Sequence, residues 1–496
     1  MLEKILTTHS LSLFLASKYI IVYTALALSL IILILFILLK LNNTTLIHRN
    51  NFNIFKNVIL YFFLCLLLLH LLKFFLSLAI IHANPYYSLR LLYAFEDKYS
   101  FIFSSYNVGL ADSIVLLALI TGIVCIFLLG DKHLNFNIVN IIFFCFFLLV
   151  TMTMVYTTNL LILFLSFEAL FIPTIYFVYK LGYVRKTDKT VKYLLQWTLS
   201  GAFLIFVVIC YIFSVYKTLN IHVLMLYQFS LLEKILIYFT LFIGFGIKIP
   251  VYPFHFWLTK VHVEAPAGFS IFLSGFLVKT AIYCFFFFSN IFFNVYTSKI
   301  ILVLVILGIF DASIKMWSQL DIKKLIAFAT IQEMNIILLF LVLTNNLNDS
   351  IFIIFIFVHG LLSALMFFIV DLIQKRTTTR NIIEISGLGL LYPKLRLVIW
   401  GILMFFMGFP LTIKFVIEWK IIFLMYSQSL FLTLCIFLIL NVVAVVGFTK
   451  QIIAVLYGNI NIDLEYSVDL SRRDFFIIFF LSYLLFLLNY ISFCIL

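Results

Sequence analysis

Long apolar stretches separated by short polar gaps run along most of the chain, from about residue 19 to residue 494. A helix needs about 20 mostly apolar residues to cross the hydrocarbon core of a bilayer. The pattern predicts fourteen such segments, near residues 19–39, 57–81, 109–129, 136–156, 159–179, 193–216, 234–256, 267–289, 299–317, 323–344, 350–373, 396–420, 428–457 and 474–494. We therefore expect an all-α integral membrane protein with about fourteen transmembrane helices.

The overall composition excludes a soluble protein. Of the 496 residues, 65% are hydrophobic and only 11% are charged, which is too little polar surface to be wetted by water. The net charge of +13 would suggest nucleic acid in a soluble protein. Here the basic residues cluster between apolar segments, where they set topology. Membrane lipids are the expected partner, and nucleic acid is not.

The distribution of lysine and arginine predicts the orientation. These residues are concentrated in the gaps after odd-numbered segments, such as residues 180–192 and the gap that holds Arg376 and Arg380. The positive-inside rule places those gaps on the side where the chain is made, and an even number of segments places both termini on the other side. The 61 Phe and 26 Tyr against 17 Gly fit an AT-rich organellar genome. We expect the mitochondrial inner membrane, with both termini facing the intermembrane space.

Several apolar segments carry an ionisable residue. Each costs roughly 2.5–3.5 kcal/mol at a helix centre on insertion scales, so each needs a compensating role. Burial disfavours the charged forms of lysine and glutamate, and histidine can hold a proton on either ring nitrogen, so all three suit proton exchange. The alternative for any single residue is a structural ion pair or a side chain that reaches the interface. The candidates for a proton relay are Glu168, Lys248, Lys279, Glu333, His359 and Glu418.

Some ionisable residues of the apolar segments are interpreted as structural. His70 and Lys73 of the second segment are assigned to packing. Asp311 and Lys315 are spaced four residues apart, so they share a helix face and can form a local pair. The same spacing suggests that Lys414 partners Glu418.

The seventh and twelfth segments combine an ionisable residue with helix breakers. Pro250 follows Lys248 closely, and Pro410 precedes Lys414. Proline removes a helical hydrogen bond, and irregular backbone inside a membrane is tolerated only against protein or a wet cavity. We expect both of these transmembrane helices to be broken.

The offset of five between the two broken segments predicts an internal repeat. Segments 4–8 and 9–13 would be two five-helix copies, inverted because the offset is odd, as in many transporters. In this alignment Glu168 matches Glu333, Lys248 matches the pair of Lys414 and Glu418, and Lys279 roughly matches Lys450, near the end of the thirteenth segment. The predicted divisions are residues 1–135, the repeats 136–290 and 291–458, and the C-terminal helix 459–496.

Redox and nucleotide sites are not expected in this chain. The seven cysteines form no CxxC pair and lie near no histidine cluster with metal-ligand spacing. There is neither a GxGxxG nor a GxxxxGK[ST] motif. We therefore expect no cofactor in the chain itself.

A run of nineteen residues, KIPVYPFHFWLTKVHVEAP at residues 248–266, resembles the signature of the chain 4 family of respiratory complex I. Weaker similarities lie at residues 321–328, at residues 359–363 and around Glu168, so the resemblance extends over about residues 107–458. The family comprises antiporter-like subunits of the NADH–quinone oxidoreductase. The resemblance implies proton translocation beside the antiporter-like chains 2 and 5, with NADH, FMN, iron–sulfur clusters and ubiquinone in partner subunits.

The resemblance also implies roles for single residues. Glu168 and Lys248 would form the charge pair of the first half-channel. Lys279 and His359 would carry the proton along a central axis, and Glu418 would gate the far exit. His255 and His262 are expected to hold the motif structurally.

The sequence departs from the family pattern at two positions. The family usually has histidine at the position of Glu333 and proline at that of Thr259.

The sequence also leaves two alternative functions open. The first alternative function is a subunit of a multisubunit cation–proton antiporter. The second is a passive scaffold whose buried charges only fix helix packing.

Overall fold

The computed structural model describes residues 108–129, 138–182, 187–293, 295–344, 350–458 and 469–495, together with residues 66, 67, 70, 71 and 73. These residues are almost entirely helical. The main helices are α1 (Val108–Leu129), α2 (Ile138–Tyr156), α3 (Leu160–Ala169), α4 (Phe171–Leu181), α5 (Thr187–Tyr216), α6 (Ile221–Leu224), α7 (Leu231–Lys248), α8 (Phe256–Glu264), α9 (Ala267–Phe272), a π-helix (Leu273–Leu277), α10 (Val278–Phe292), α11 (Val295–Trp317), α12 (Ile322–Leu343), α13 (Ser350–Thr377), α14 (Leu388–Leu391), α15 (Pro393–Met407), α16 (Ile413–Ser427), α17 (Phe431–Tyr457) and α18 (Arg472–Ile495).

Each of the twelve predicted segments from residue 109 onward overlaps one or more helices, and the count of fourteen transmembrane helices stays a prediction. Among the described residues, seven helices are long and apolar enough to cross a membrane. The predicted segment 19–39 lies outside the described residues, and so does most of segment 57–81. The fold is therefore all-helical with several candidate spans, as the hydrophobic pattern predicts.

Three of the seven candidate spans form the centre of the molecule. The most apolar windows of Ala267–Ser289, Ile322–Leu343 and Ile351–Thr377 are completely buried, whereas that of Phe431–Tyr457 is only 28% buried. A helix that is apolar on all sides must be covered by other helices or by lipid. The central helices are covered by protein, and they carry Lys279, Glu333 and His359.

Both predicted helix interruptions are present. Helix α7 ends at Lys248, and α8 begins only at Phe256. Helix α15 ends at Met407 with Gly408 in the left-handed conformation (φ 69°), and α16 begins at Ile413. Because glycine adopts positive φ without steric penalty, Gly408 allows the chain to turn out of α15 at this point.

Two short backbone bridges fix connecting segments against helix starts. Asn159, which caps α3, pairs with Asn220, and Asp321, which caps α12, pairs with Asn381. Each bridge is antiparallel and joins the N-terminus of a helix, α3 or α12, to a later connection. The same device therefore occurs once in each half of the chain.

Candidate functional site

The first ion pair lies at the interruption that follows α7. Lys248 is 1% exposed, and its Nζ lies 2.5 Å from Oε1 of Glu168 on α3. The rings of Phe167 and Phe171 each lie 3.9 Å from the ammonium. The last carbonyls of a helix carry partial negative charge, which favours a cation at this end. The Lys248 ammonium is thus a buried charge that lies between two aromatic rings, beside the irregular backbone that follows α7.

The tryptophan of the 248–266 run supports this interruption. Trp257 Nε1 donates a hydrogen bond of 2.7 Å to the carbonyl oxygen of Ile247. A carbonyl freed by the end of a helix needs a donor when it is buried. Trp257 therefore ties α8 back to the end of α7, next to Lys248.

The second ion pair corrects the partner predicted for Lys414. Its Nζ lies 2.5 Å from Glu333 Oε1 but 3.8 Å from Glu418 Oε1. The lysine also donates to the Phe406 carbonyl at 2.6 Å, at the end of α15. The i,i+4 contact with Glu418 exists, but the tertiary contact with Glu333 is the shorter one. Each half of the chain thus pairs a lysine beside a helix interruption with a glutamate of another helix, Glu168 of α3 or Glu333 of α12.

The π-helix places the third candidate lysine. Lys279 is 1% exposed and donates a hydrogen bond to the carbonyl oxygen of Ser274, inside the π-turn. A π-turn leaves carbonyl groups less regularly paired than an α-turn, and such turns are frequent at functional sites. Glu333 lies within electrostatic range of Lys279. Lys279 therefore interacts electrostatically with the second pair.

His359 lies between the charges of the central helices. It is 3% exposed, and neither ring nitrogen hydrogen-bonds to a described residue. It interacts electrostatically with both Lys279 and Lys414. The structure thus groups Lys279, His359, Glu333, Lys414 and Glu418, while Glu168 and Lys248 form a separate pair.

The two histidines of the 248–266 run differ in surroundings. His255 Nε2 lies 2.8 Å from Asp311 Oδ2, and Lys315 lies 2.6 Å from the same carboxylate oxygen. The predicted pair of Asp311 and Lys315 is therefore confirmed, with His255 as an additional partner. His262 is fully buried, stacks on Phe367 with ring centroids 4.6 Å apart, and makes no hydrogen bond to a described residue.

The remaining ionisable residues lie away from the central cluster. Lys450 is exposed, with its ammonium 5.3 Å from the centre of the Trp317 ring, so it does not share the burial of Lys279, which it roughly matches in the predicted repeat. Lys73 lies 2.9 Å from Asp112 Oδ1 and 2.8 Å from the Tyr156 hydroxyl. That arrangement agrees with a packing role for Lys73.

Lys323 lies at the start of α12, but its side chain is fully buried, and its Nζ donates to the Ala265 carbonyl at 2.5 Å. His262 lies within electrostatic range of it. The side chain of the adjacent Lys324, by contrast, is partly exposed.

Replacing Lys323 by methionine should destabilise the fold. The change leaves the buried Ala265 carbonyl without this donor, which costs about 1–3 kcal/mol. The melting temperature of the detergent-solubilised protein should fall for Lys323→Met and stay unchanged for Lys324→Met. Equal melting temperatures of the two variants would contradict a structural need for the Lys323 ammonium.

Comparison with known proteins defines the class. Residues 157–444 match the transmembrane family described as NADH:quinone oxidoreductase/Mrp antiporter. This match covers more than half of the chain, and the chain belongs to that family. By family membership it is an antiporter-like membrane protein.

Its relatives within the family are chain 4 proteins. The chain is 34% identical over 387 residues to NADH-ubiquinone oxidoreductase chain 4 of Paramecium tetraurelia, which covers 76% of this chain and 81% of the relative. It is 28% identical over 337 residues to that of Chondrus crispus, covering 66% and 67%.

Two solved structures share the fold. A chain of respiratory complex I from Thermus thermophilus with bound NADH superposes with a TM-score of 0.68 and 18% identity, over 77% of this chain and 80% of that one. A chain of the Mrp complex from Dietzia sp. DQ12-45-1b gives 0.65 and 15%, over 81% and 79%.

Proposed function

We infer that this chain is the proton-translocating chain 4 subunit of respiratory complex I. The observation that carries this conclusion is the ion pair of the buried Lys248 with Glu168 at a broken helix, in a chain whose relatives include chain 4 proteins. Apolar packing would stabilise a membrane helix better than an isolated ion pair does. Ionisable groups kept in several buried helices instead suit a proton pathway.

The first pair would act as the switch of the pathway. Energy from electron transfer in partner subunits would separate Glu168 from Lys248. Lys248 would then lose the carboxylate that favours its charged form and would release a proton towards Lys279. Such coupling requires two states of the pair with different separations.

The proposed relay continues through the central helices. Lys279, His359 and Glu333 would carry the proton, and Glu418 would gate the exit. The burial of Lys279, His359 and Glu333 and the electrostatic interactions of Lys279 with the other two support a connected pathway. Cofactors and quinone would belong to partner subunits, as the resemblance to the chain 4 family implies.

The two ion pairs support the proposed repeat of residues 136–290 and 291–458. Glu168 and Lys248 are 80 positions apart, and Glu333 and Lys414 are 81 apart. Both lysines lie beside a helix interruption, and each half has one backbone bridge at a helix start. We propose that Lys414, rather than Glu418, is the counterpart of Lys248.

The surroundings of the chain follow from the same assignment. We propose the mitochondrial inner membrane, fourteen transmembrane helices, and both termini on the intermembrane-space side. The neighbours would be the antiporter-like chains 2 and 5. The alternative, a cation–proton antiporter subunit, draws support from the shared fold with the Mrp complex chain.

A native gel separates the two assignments. Solubilised membranes would be stained for NADH dehydrogenase activity and the bands analysed by peptide mass spectrometry. We expect this chain in a very large NADH-active band. Migration apart from that activity, together with other antiporter-like chains, would instead assign it to a cation–proton antiporter.

A further inference from the structure

Lys414 lies between two carboxylates. Its ammonium donates to Glu333 at 2.5 Å and to the Phe406 carbonyl at 2.6 Å. An ammonium has three N–H donors, so these contacts leave one donor. Glu418 Oε1 lies 3.8 Å away, on the next turn of the same helix.

Glu418 offers the matching acceptor. Its Oε1 is buried and makes no hydrogen bond to a described residue. A Cβ built on Gly408 would lie 3.0 Å from the other carboxylate oxygen, so the carboxylate is positioned against the interruption between α15 and α16. A movement of the ammonium by about 1 Å would bring it within hydrogen-bond distance of Oε1.

One ammonium cannot neutralise two buried carboxylates. The side chains of Lys414, Glu333 and Glu418 are 6%, 4% and 14% exposed, and an unpaired buried charge is costly. The three groups are therefore most stable with one further proton shared between the carboxyls. The Lys414 ammonium lies 2.5 Å from Glu333 and 3.8 Å from Glu418, so it is placed to pass that proton from one carboxyl to the other.

We propose that Lys414 is a proton-transfer residue that passes a proton from Glu333 to Glu418. A proton arriving on Glu333 weakens the ion pair, and the ammonium turns to Glu418. An N–H bond of Lys414 breaks as an O–H bond forms on Glu418. The resulting amine takes the proton of Glu333, which restores the ion pair, and Glu418 releases its proton towards the exit. The inference rests on the proposed relay and adds Lys414 to it.

The substitutions Lys414→Arg and Lys414→Gln test the transfer role together. Arginine keeps the positive charge but does not give up its proton, whereas glutamine removes the charge. Membrane vesicles that contain the assembled complex would be supplied with NADH, and proton uptake per NADH oxidised would be measured. We expect both variants to lose proton uptake by about tenfold or more, because a positioned acid–base group contributes roughly 100- to 10,000-fold to a proton transfer. If arginine restored the uptake that glutamine loses, Lys414 would be a fixed counter-charge and the proposal would be wrong.

Two further variants complete the experiment. Lys375 pairs with Asp371 at 2.8 Å in the same i,i+4 spacing, but it is 30% exposed, and Lys375→Arg should pump normally. Lys248→Arg should lose pumping, because the proposed function requires Lys248 to release a proton.

The outcomes separate the two proposals. Normal pumping of Lys414→Arg alone overturns the role of Lys414. Normal pumping of both Lys248→Arg and Lys414→Arg overturns the relay itself. If arginine at 414 prevents assembly, normal uptake by Lys414→Gln overturns the proposal equally.

Discussion

Glu168→Gln should reduce proton pumping by about tenfold or more while the complex still assembles, since a loss of about 1.4 kcal/mol in a transfer step already slows it tenfold. The amide has nearly the same shape as the carboxylate but carries no charge, so Lys248 loses the partner that lies 2.5 Å from its ammonium. Proton uptake driven by NADH in sealed vesicles measures the effect, with subunit levels checked in parallel.

The chain offers a matched control for this substitution. Glu233 forms a capping box with Ser230 at the start of α7, and its pKa is held below the usual value by hydrogen bonds from Ser230 and from the Tyr211 hydroxyl. Glutamine can serve in a capping box as well, so Glu233→Gln should pump normally. Full pumping by Glu168→Gln at normal subunit levels would contradict a functional pair of Glu168 and Lys248.

Gly360→Val should largely prevent accumulation of the assembled subunit. Gly360 on α13 faces Gly275 of the π-helix, and a Cβ on Gly360 would lie 2.8 Å from the Gly275 carbonyl oxygen and 2.5 Å from Leu117 Cδ2. A backbone carbonyl cannot move aside as a flexible side chain can, so the central helices would have to separate. Overpacking of this kind costs about 1–3 kcal/mol or more, and it occurs here between helices that carry the relay residues.

The amount of this chain in the NADH-active band of a native gel measures that effect. Gly401 on α15 is the control, because a Cβ there would meet nothing within 4 Å. Valine also has a better helix propensity than glycine, so Gly401→Val should assemble normally. Normal assembly of Gly360→Val would mean that the crossing of α13 and the π-helix can widen without loss.

The hydrophobic pattern predicts the helices well because the bilayer imposes one requirement on every segment. Apolar runs of about 20 residues must be helical in lipid, whatever they later contact. The interruptions after Lys248 and before Lys414 are also predictable, because proline acts through local backbone geometry.

Contacts between distant segments are less accessible from sequence. The i,i+4 spacing pointed to Glu418 as the partner of Lys414, because spacing reports only neighbours on one helix. The closer contact with Glu333 depends on how α12 and α16 pack, which no local pattern encodes. The same holds for Lys323 and Lys450, whose positions near helix ends gave no indication of which side chain is buried. The pair of Glu168 and Lys248 was anticipated only through the resemblance to a family.

The π-helix at Leu273–Leu277 contains one residue more than the α-turn it replaces, so it holds a one-residue insertion inside a central helix. Because the wider turn absorbs the extra residue, trimming one residue here would leave a continuous α-helix with Lys279 on nearly the same side. The Ser274 carbonyl, which accepts from the Lys279 ammonium, would then be engaged by the regular backbone hydrogen bond from the residue four positions later. A single-residue deletion here would thus keep the direction of Lys279 and set the backbone in competition for its acceptor.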